Sequence, residues 1–141
     1  MCSWHVNVNP STRTIYVTNA SGNGVSLING ATCNATVTCS QNAPAVPVEQ
    51  LPAGIAVDRQ TGAVYSTNIV AGEVNGIDGR ACTPTHILDC RPEPIPARMG
   101  GRGGAIALDP TAGTAYVPNN DAVPSRWSRS GADGGEAACR S

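Results

Sequence analysis

Three stretches decide the fold: VNVNPSTRTIYVTN at residues 6–19, IAVDRQTGAVYSTN at 55–68 and IALDPTAGTAYVPN at 106–119. Each holds an apolar run that ends in Asn or Asp, then a polar corner, then a second apolar run with one tyrosine. The tyrosines lie 49 and 51 residues apart. A fixed period of this size is the signature of a repeat protein in which each unit packs against its neighbours.

The first two units stay in register well beyond the tyrosine. At the same offset of 49 residues, four further positions match: Val25 with Val74, Ile28 with Ile77, Gly30 with Gly79, and Cys33 with Cys82. The repeat therefore spans about 50 residues and includes a cysteine.

Each unit is predicted to contain four short antiparallel strands. The corners NPST and DPTAG carry the Asn, Asp, Pro and Gly that form tight turns. The following strand puts Ile15 and Val17 on one face and Tyr16 on the other, which is typical of a sheet covered on both sides. Third strands are predicted at 25–28 and 74–77, and fourth strands, interrupted by proline, at 45–48 and 93–97.

Stacked four-stranded sheets indicate an all-β fold, a partial β-propeller with two four-stranded antiparallel blades and an incomplete third. The predicted boundaries are residues 1–50 for blade 1, 51–100 for blade 2 and 101–120 for the incomplete blade 3. At an offset of 51, Val74 and Ile77 correspond to Ser125 and Ser128, so the strand pattern is lost there. Residues 121–141, rich in Ser, Gly, Ala and Arg, are predicted to be a disordered tail.

The tyrosine motifs carry a family resemblance. YVTN at residues 16–19, YSTN at 65–68 and YVPN at 116–119 resemble the YVTN-type β-propeller repeats of bacterial surface and secreted proteins. The resemblance implies a closed ring of six or seven blades, of which this chain supplies fewer than three. We therefore expect self-association, with two or three chains completing a ring, or missing blades supplied from elsewhere.

Composition and charge exclude several partners. The net charge of −1 is spread thinly over the chain, so no basic stripe exists to bind nucleic acid. No apolar run approaches the length of about 18 residues that a membrane span needs. The start of the chain shows no signal peptide, yet the paired cysteines are typical of exported proteins, so we expect a secreted or cell-surface location.

Four cysteines are candidates for two local disulfides, Cys33 with Cys39 and Cys82 with Cys90, because the pairs occupy the same point of successive units. The alternative is a metal site at Cys82, His86 and Cys90, but one unit alone has the histidine and zinc usually takes four ligands. We therefore predict no metal and no cofactor. Cys2 and Cys139 are unmatched.

The other candidate residues are predicted to be structural. Asn9, Asp58 and Asp109 stand at equivalent corners, which indicates that they hold turns rather than form an acid–base pair. Tyr16, Tyr65 and Tyr116 are predicted to form the blade core rather than to line a ligand surface. His5 is predicted to be a solvated residue before the first strand.

The sequence thus predicts a non-catalytic module that binds a protein or a small ligand through loops at 21–24 and 70–72. No Ser/His/Asp set for nucleophilic catalysis can be assembled from it. The alternative is the remnant of a propeller enzyme, similar to the lactonases or to the lyases that open cyclic antibiotics, because the fold hosts unrelated activities.

Overall fold

The computed structural model describes residues 3–39, 42–95, 103–119 and 126–130, of which residues 3, 4, 119 and 126–130 are described by their backbone alone. Cys2, Cys139 and the predicted end of the fourth strand of blade 2 lie outside these ranges.

The described chain forms three antiparallel sheets. The first sheet contains β1 (Ser3–Asn9), β2 (Thr14–Asn19), β3 (Gly24–Asn29) and β4 (Ala45–Pro47). The second contains β5 (Pro52–Val57), β6 (Ala63–Asn68), β7 (Glu73–Asp78) and β8 (Glu93–Ile95). The third contains β9 (Ala107–Asp109), β10 (Thr114–Asn119) and β11 (Arg126–Ser130). Short 3-10 turns lie at Ala20–Gly22 and Ile87–Asp89.

Within each sheet, every strand pairs with the next one along the chain. Neighbouring sheets meet through their first strands, because β1 lies against β5 and β5 lies against β9. Sheets that meet at the first strand and stack face to face are the arrangement of propeller blades. The predicted fold, a partial propeller with two four-stranded blades and an incomplete third, is confirmed.

Each sheet has a leading face, which points toward the preceding sheet, and a trailing face, which points toward the next. Strand register places Val6, Val8, Ile15, Val17 and Ile28 on the leading face of the first sheet. The trailing face of that sheet carries Tyr16, Val25, Leu27 and Val46, and these pack against Ile55, Val64, Ile77 and Cys82 of the second sheet. This junction is the main hydrophobic core of the protein.

A smaller core joins the second and third sheets. Val74 and Val117 are buried there, and Tyr65, Ile95 and Ile106 pack against them. Sequence-equivalent positions of successive blades therefore make equivalent junctions.

The corner between the first two strands of each sheet ends in a left-handed residue. Arg13, Gly62 and Gly113, at matching repeat positions, have φ of 53°, 79° and 60°. Glycine adopts this conformation without a steric cost, whereas a residue with a Cβ does not. The first blade therefore tolerates at Arg13 a strain that the other two avoid.

The prediction for the tail was wrong at residues 126–130. We predicted that blade 3 ends at residue 120 and that disorder follows, but β11 pairs with β10 from Asn119 with Arg126 to Ala115 with Ser130. Strand pairing depends on backbone groups, so it does not need the alternating apolar pattern that the segment lacks. The other residues of the predicted tail lie outside the described ranges.

Candidate binding surface

The predicted corner residues hold their turns through side-chain acceptors. Asn9 Oδ1 accepts a hydrogen bond from the Ser11 amide at 3.1 Å. Asp58 Oδ1 accepts from the Gln60 amide at 2.8 Å, and Asp109 Oδ1 accepts from the Thr111 amide at 3.0 Å. These side chains serve the local backbone, as the sequence predicted.

The pKa of Asp58 reflects this role. Burial alone would raise the pKa of the carboxyl group, but hydrogen bonds from the Thr61 hydroxyl and from the Gln60 and Thr61 amides outweigh it. The pKa is therefore held below its usual value, with a further contribution from the positive charge of Arg80. A carboxylate that stays ionised and hydrogen-bonded stabilises the corner.

The three tyrosines occupy equivalent places but differ in burial. Tyr16 is fully buried and its hydroxyl donates to the Cys82 carbonyl at 3.2 Å, while Tyr65 and Tyr116 are half-buried. Burial raises the pKa of both Tyr16 and Tyr65 above the usual tyrosine value. The burial of each tyrosine depends on the blade that packs against it. Tyr16 packs against the second blade, which has four described strands, whereas Tyr65 packs against the third, which has three.

Both predicted disulfides are present, between Cys33 and Cys39 and between Cys82 and Cys90. Two disulfides are typical of an oxidising, extracellular environment. The second pair has a wider role, because Cys82 is fully buried and Ile87 and Cys90 pack against the core between the first two blades. The cysteine-bracketed segment of blade 2 thus covers one end of that junction.

The alternative metal site is not formed. Cys82 and Cys90 are bonded to each other, and His86 Nδ1 lies within hydrogen-bond distance of the Thr83 and Thr85 hydroxyls, at 3.2 and 3.0 Å. No group of three His, Cys, Asp or Glu side chains in the described ranges is placed to hold a metal ion.

The structure reveals a threonine that joins neighbouring blades, which the sequence analysis missed. Thr18 Oγ1 accepts from the His5 amide at 3.1 Å and donates to the Ala53 carbonyl of the second sheet at 2.8 Å. Thr67, 49 residues later, accepts from the Gly54 amide at 2.8 Å. The signal was the repeated threonine of YVTN and YSTN, whereas Pro118 replaces it in the third blade.

His5 is exposed, as predicted, but its predicted position before the first strand was wrong. It lies within β1 rather than before it, and its ring Nδ1 donates to the Ala53 carbonyl at 2.9 Å. Asn7 Nδ2 similarly donates to the Ile55 carbonyl at 3.3 Å. Polar groups of the first strand thus tie blade 1 to blade 2, a contact between residues 48 apart that local sequence does not reveal.

One end of the blades forms a continuous surface of three segments, residues 20–23, 48–51 and 69–72, which we call the loop end. Hydrogen bonds to the first and the second blade hold the linker between them, residues 48–51, at this surface. The Val48 amide donates to the Asn23 carbonyl at 3.0 Å, and the Leu51 amide donates to Asn23 Oδ1 at 3.2 Å. The loop end includes residues 21–23 and 70–72 of the loops that the sequence predicted as a binding footprint, and it adds the linker.

Leu51 has an unusual backbone conformation at the centre of this surface. Its φ is 55°, in the left-handed region that a bulky side chain rarely adopts. Hydrogen bonds fix it on both sides, since its carbonyl also accepts from the Ile69 amide at 3.0 Å. The side chain is 37% exposed, and Val70, next to Ile69, is 57% exposed. The loop end thus presents two apolar side chains on a fixed backbone.

No protein-family model matches the sequence, and no curated protein is a detectable relative. Among solved structures, the chain is similar to Kuenenia stuttgartiensis hydrazine synthase, with a TM-score of 0.64 and 21% sequence identity. The match covers 84% of this chain and 29% of that chain. At this identity the likeness shows the fold alone. Within the described ranges, no helix is long and apolar enough to cross a membrane.

Proposed function

We propose that this chain is a non-catalytic β-propeller module, related to the YVTN repeats of bacterial surface and secreted proteins, that binds a protein partner through its loop end. The observation that carries the proposal is Leu51, a partly exposed leucine held in a left-handed conformation. Such strain costs about 1–3 kcal/mol and persists only where the surroundings impose it, commonly at functional sites.

The chemistry of the loop end favours a protein partner with an apolar patch. Leu51 and Val70 supply apolar surface, while Ser21, Glu49 and Gln50 supply exposed polar groups around it. An apolar centre with a polar rim is the usual anatomy of a protein interface. Because hydrogen bonds fix the backbone beforehand, little ordering is needed on binding.

The proposed setting is outside the cell, in a ring that further blades complete. Two disulfides support the oxidising location. The exposed leading face of the first sheet supports the need for further blades, because open sheet faces are a liability in repeat proteins.

Peptides selected from a displayed random library against the intact protein would test the loop end. Leu51→Asn with Val70→Ser removes the apolar side chains, and asparagine tolerates the left-handed backbone. We expect the selected peptides to lose at least about tenfold in affinity, as for a central apolar anchor. Leu88→Ser is the matched control, because Leu88 is 90% exposed in the cysteine-bracketed segment.

Binders that ignore Leu51 and Val70 and depend on Leu88 would overturn the proposal. Turnover of lactone substrates by the purified chain, with or without divalent metal, would favour a propeller enzyme instead.

A further inference from the structure

The leading face of the first sheet is uncovered in the described structure, although its counterpart in the second sheet is buried. Val6 and Val8 are 62% and 41% exposed, and Ile15, Val17 and Ile28 are half-buried. At the offset of 49, Val6 corresponds to Ile55, which is 5% exposed beneath the first sheet. The surface that blade 1 presents is therefore of the type that another blade covers.

The trailing face of the third sheet is the complementary half. Tyr116, which corresponds to Tyr16, is half-buried, and Ala107 on the same face is exposed. Tyr16 by contrast is completely buried against the second sheet. Within its described residues, one chain thus has exposed positions on equivalents of both surfaces that it joins in its own junction between blade 1 and blade 2.

We propose that the leading face of the first sheet binds the trailing face of the third sheet of a second copy of this chain. The internal junction supplies the template for the contact. Tyr16 donates to the carbonyl of Cys82 in the next blade, and Cys33 stands in the position of Cys82 in blade 1. The hydroxyl group of Tyr116 of one copy therefore donates a hydrogen bond to the Cys33 carbonyl of the other.

This interface joins two different surfaces, so it closes only if the copies form a ring. Two copies place six sheets in one ring, since the described residues of each chain form three. Closed propellers contain about four to eight blades. A dimer with two identical head-to-tail junctions satisfies this geometry and leaves no leading face uncovered.

Three hydrogen bonds of the internal junction have no counterpart in the intermolecular one, because Ala105, Ala107 and Pro118 stand at the positions of His5, Asn7 and Thr18. Thr18 donates to the Ala53 carbonyl across the internal junction, but the corresponding residue of the third blade is Pro118, which has no hydroxyl group. The dimer is therefore expected to be weaker than the internal junction and to depend on protein concentration. Pro118→Thr restores the hydroxyl and is expected to strengthen it.

The proposal is independent of the loop end, because the residues of the two surfaces differ. Sedimentation equilibrium of the intact chain measures it directly. We expect the wild type to approach twice the 14.3 kDa chain mass as concentration rises, and Val6→Asp to raise the dissociation constant at least about tenfold by burying an unpaired charge. Leu88→Asp is expected to leave association unchanged, because Leu88 is more exposed than Val6 and lies away from both faces.

Mixing two variants separates a head-to-tail junction from other modes of association. Val6→Asp keeps a competent trailing face, and Tyr116→Asp keeps a competent leading face. Each variant is expected to be monomeric alone, while the mixture forms an open dimer of one copy of each. Circular dichroism checks that both variants remain folded. Pro118→Thr is a further variant, for which stronger association is expected.

Three results would overturn the proposal. One is a wild-type chain that stays monomeric at all concentrations, with Pro118→Thr unchanged. Another is a mixture of the two charged variants that does not associate. The third is association that survives Val6→Asp and is lost with Leu88→Asp, which would assign the contact to the cysteine-bracketed segment.

Discussion

The hydroxyl group of Tyr16 in the first blade donates a hydrogen bond to the carbonyl of Cys82 in the second, 66 residues away in sequence. The contact links the tyrosine that defines the repeat to the disulfide that closes the outer part of the next unit. Both residues are fully buried, so the bond lies within the core that joins the blades. The repeated tyrosine therefore contributes directly to the packing of the first sheet on the second.

Tyr16→Phe is expected to destabilise the fold by about 1 kcal/mol, because it removes one buried hydrogen bond and keeps the ring. Burial raises the pKa of Tyr16 above its value in the unfolded chain. The unfolded chain therefore releases this proton first, and stability falls as pH rises above the usual tyrosine pKa of 10.0. The variant should lose less stability than the wild type over that interval.

Urea unfolding from neutral to alkaline pH measures both effects of this change. Tyr65→Phe is the matched control, because burial also raises the pKa of Tyr65 but no hydrogen bond to its hydroxyl is present in the described structure. Equal stability of the Tyr16→Phe variant and the wild type at neutral pH would contradict the assigned bond.

Asp58→Asn is expected to keep the corner and remove part of the acid sensitivity. Asn9 holds the equivalent turn in blade 1, so an amide oxygen suffices as acceptor. The pKa of Asp58 is lower in the folded protein than in the unfolded chain, so its contribution is present above the unfolded value of about 3.8 and is lost as pH falls through the folded pKa.

The acid limb of the stability profile tests this. Asp58→Asn should reduce the loss of stability as pH falls. Asp58→Ala should lower the free energy of unfolding by about 1–2 kcal/mol even at neutral pH, because the Gln60 and Thr61 amides lose their acceptor. If Asn and Ala behaved alike at neutral pH, the side-chain acceptor would not be what holds the corner.

The repeat predicted most of the fold because its information is local. Corner residues, apolar alternation and paired cysteines each act over a few positions, and the strands at Thr14–Asn19 and Ala63–Asn68 follow from them. Strand β11 could not be predicted in this way, since its place depends on backbone pairing with β10. The positive φ of Leu51 depends on Asn23 and Ile69, and no local pattern marks it.

Removing the second disulfide is expected to cost more than removing the first. Loop-closure entropy alone gives about 2–3 kcal/mol for each, because the cysteines are separated by 8 and by 6 residues. Cys82 is also fully buried and offers its carbonyl to Tyr16, while Cys39 is exposed. Opening the second loop should therefore also loosen the contact between blades.

Paired alanine variants measured by thermal unfolding make the comparison. Cys82→Ala with Cys90→Ala should lower the midpoint further than Cys33→Ala with Cys39→Ala. The opposite order would mean that the excursion of blade 1 contributes more to the core than its exposure indicates.

Ser66→Val is expected to stabilise the protein by about 1–2 kcal/mol. Ser66 is completely buried in the junction between the first two blades, and its hydroxyl has no hydrogen-bond partner among the described residues. An unpaired buried hydroxyl costs free energy that a methyl group does not, and the added methyl group gains from burial. The other two blades already have valine at this repeat position, Val17 and Val117.

Chemical denaturation of Ser66→Val beside Thr67→Val separates the two adjacent buried positions. Thr67 accepts from the Gly54 amide, so removal of its hydroxyl leaves a buried donor unpaired and should destabilise by about 1–3 kcal/mol. The two substitutions are expected to change the free energy of unfolding in opposite directions. The residues are neighbours in one strand but lie on opposite faces, Ser66 on the leading face and Thr67 on the trailing face. A destabilised Ser66→Val would show that the junction has no room for the larger side chain, and that blade 2 packs more closely there than the third blade does around Val117.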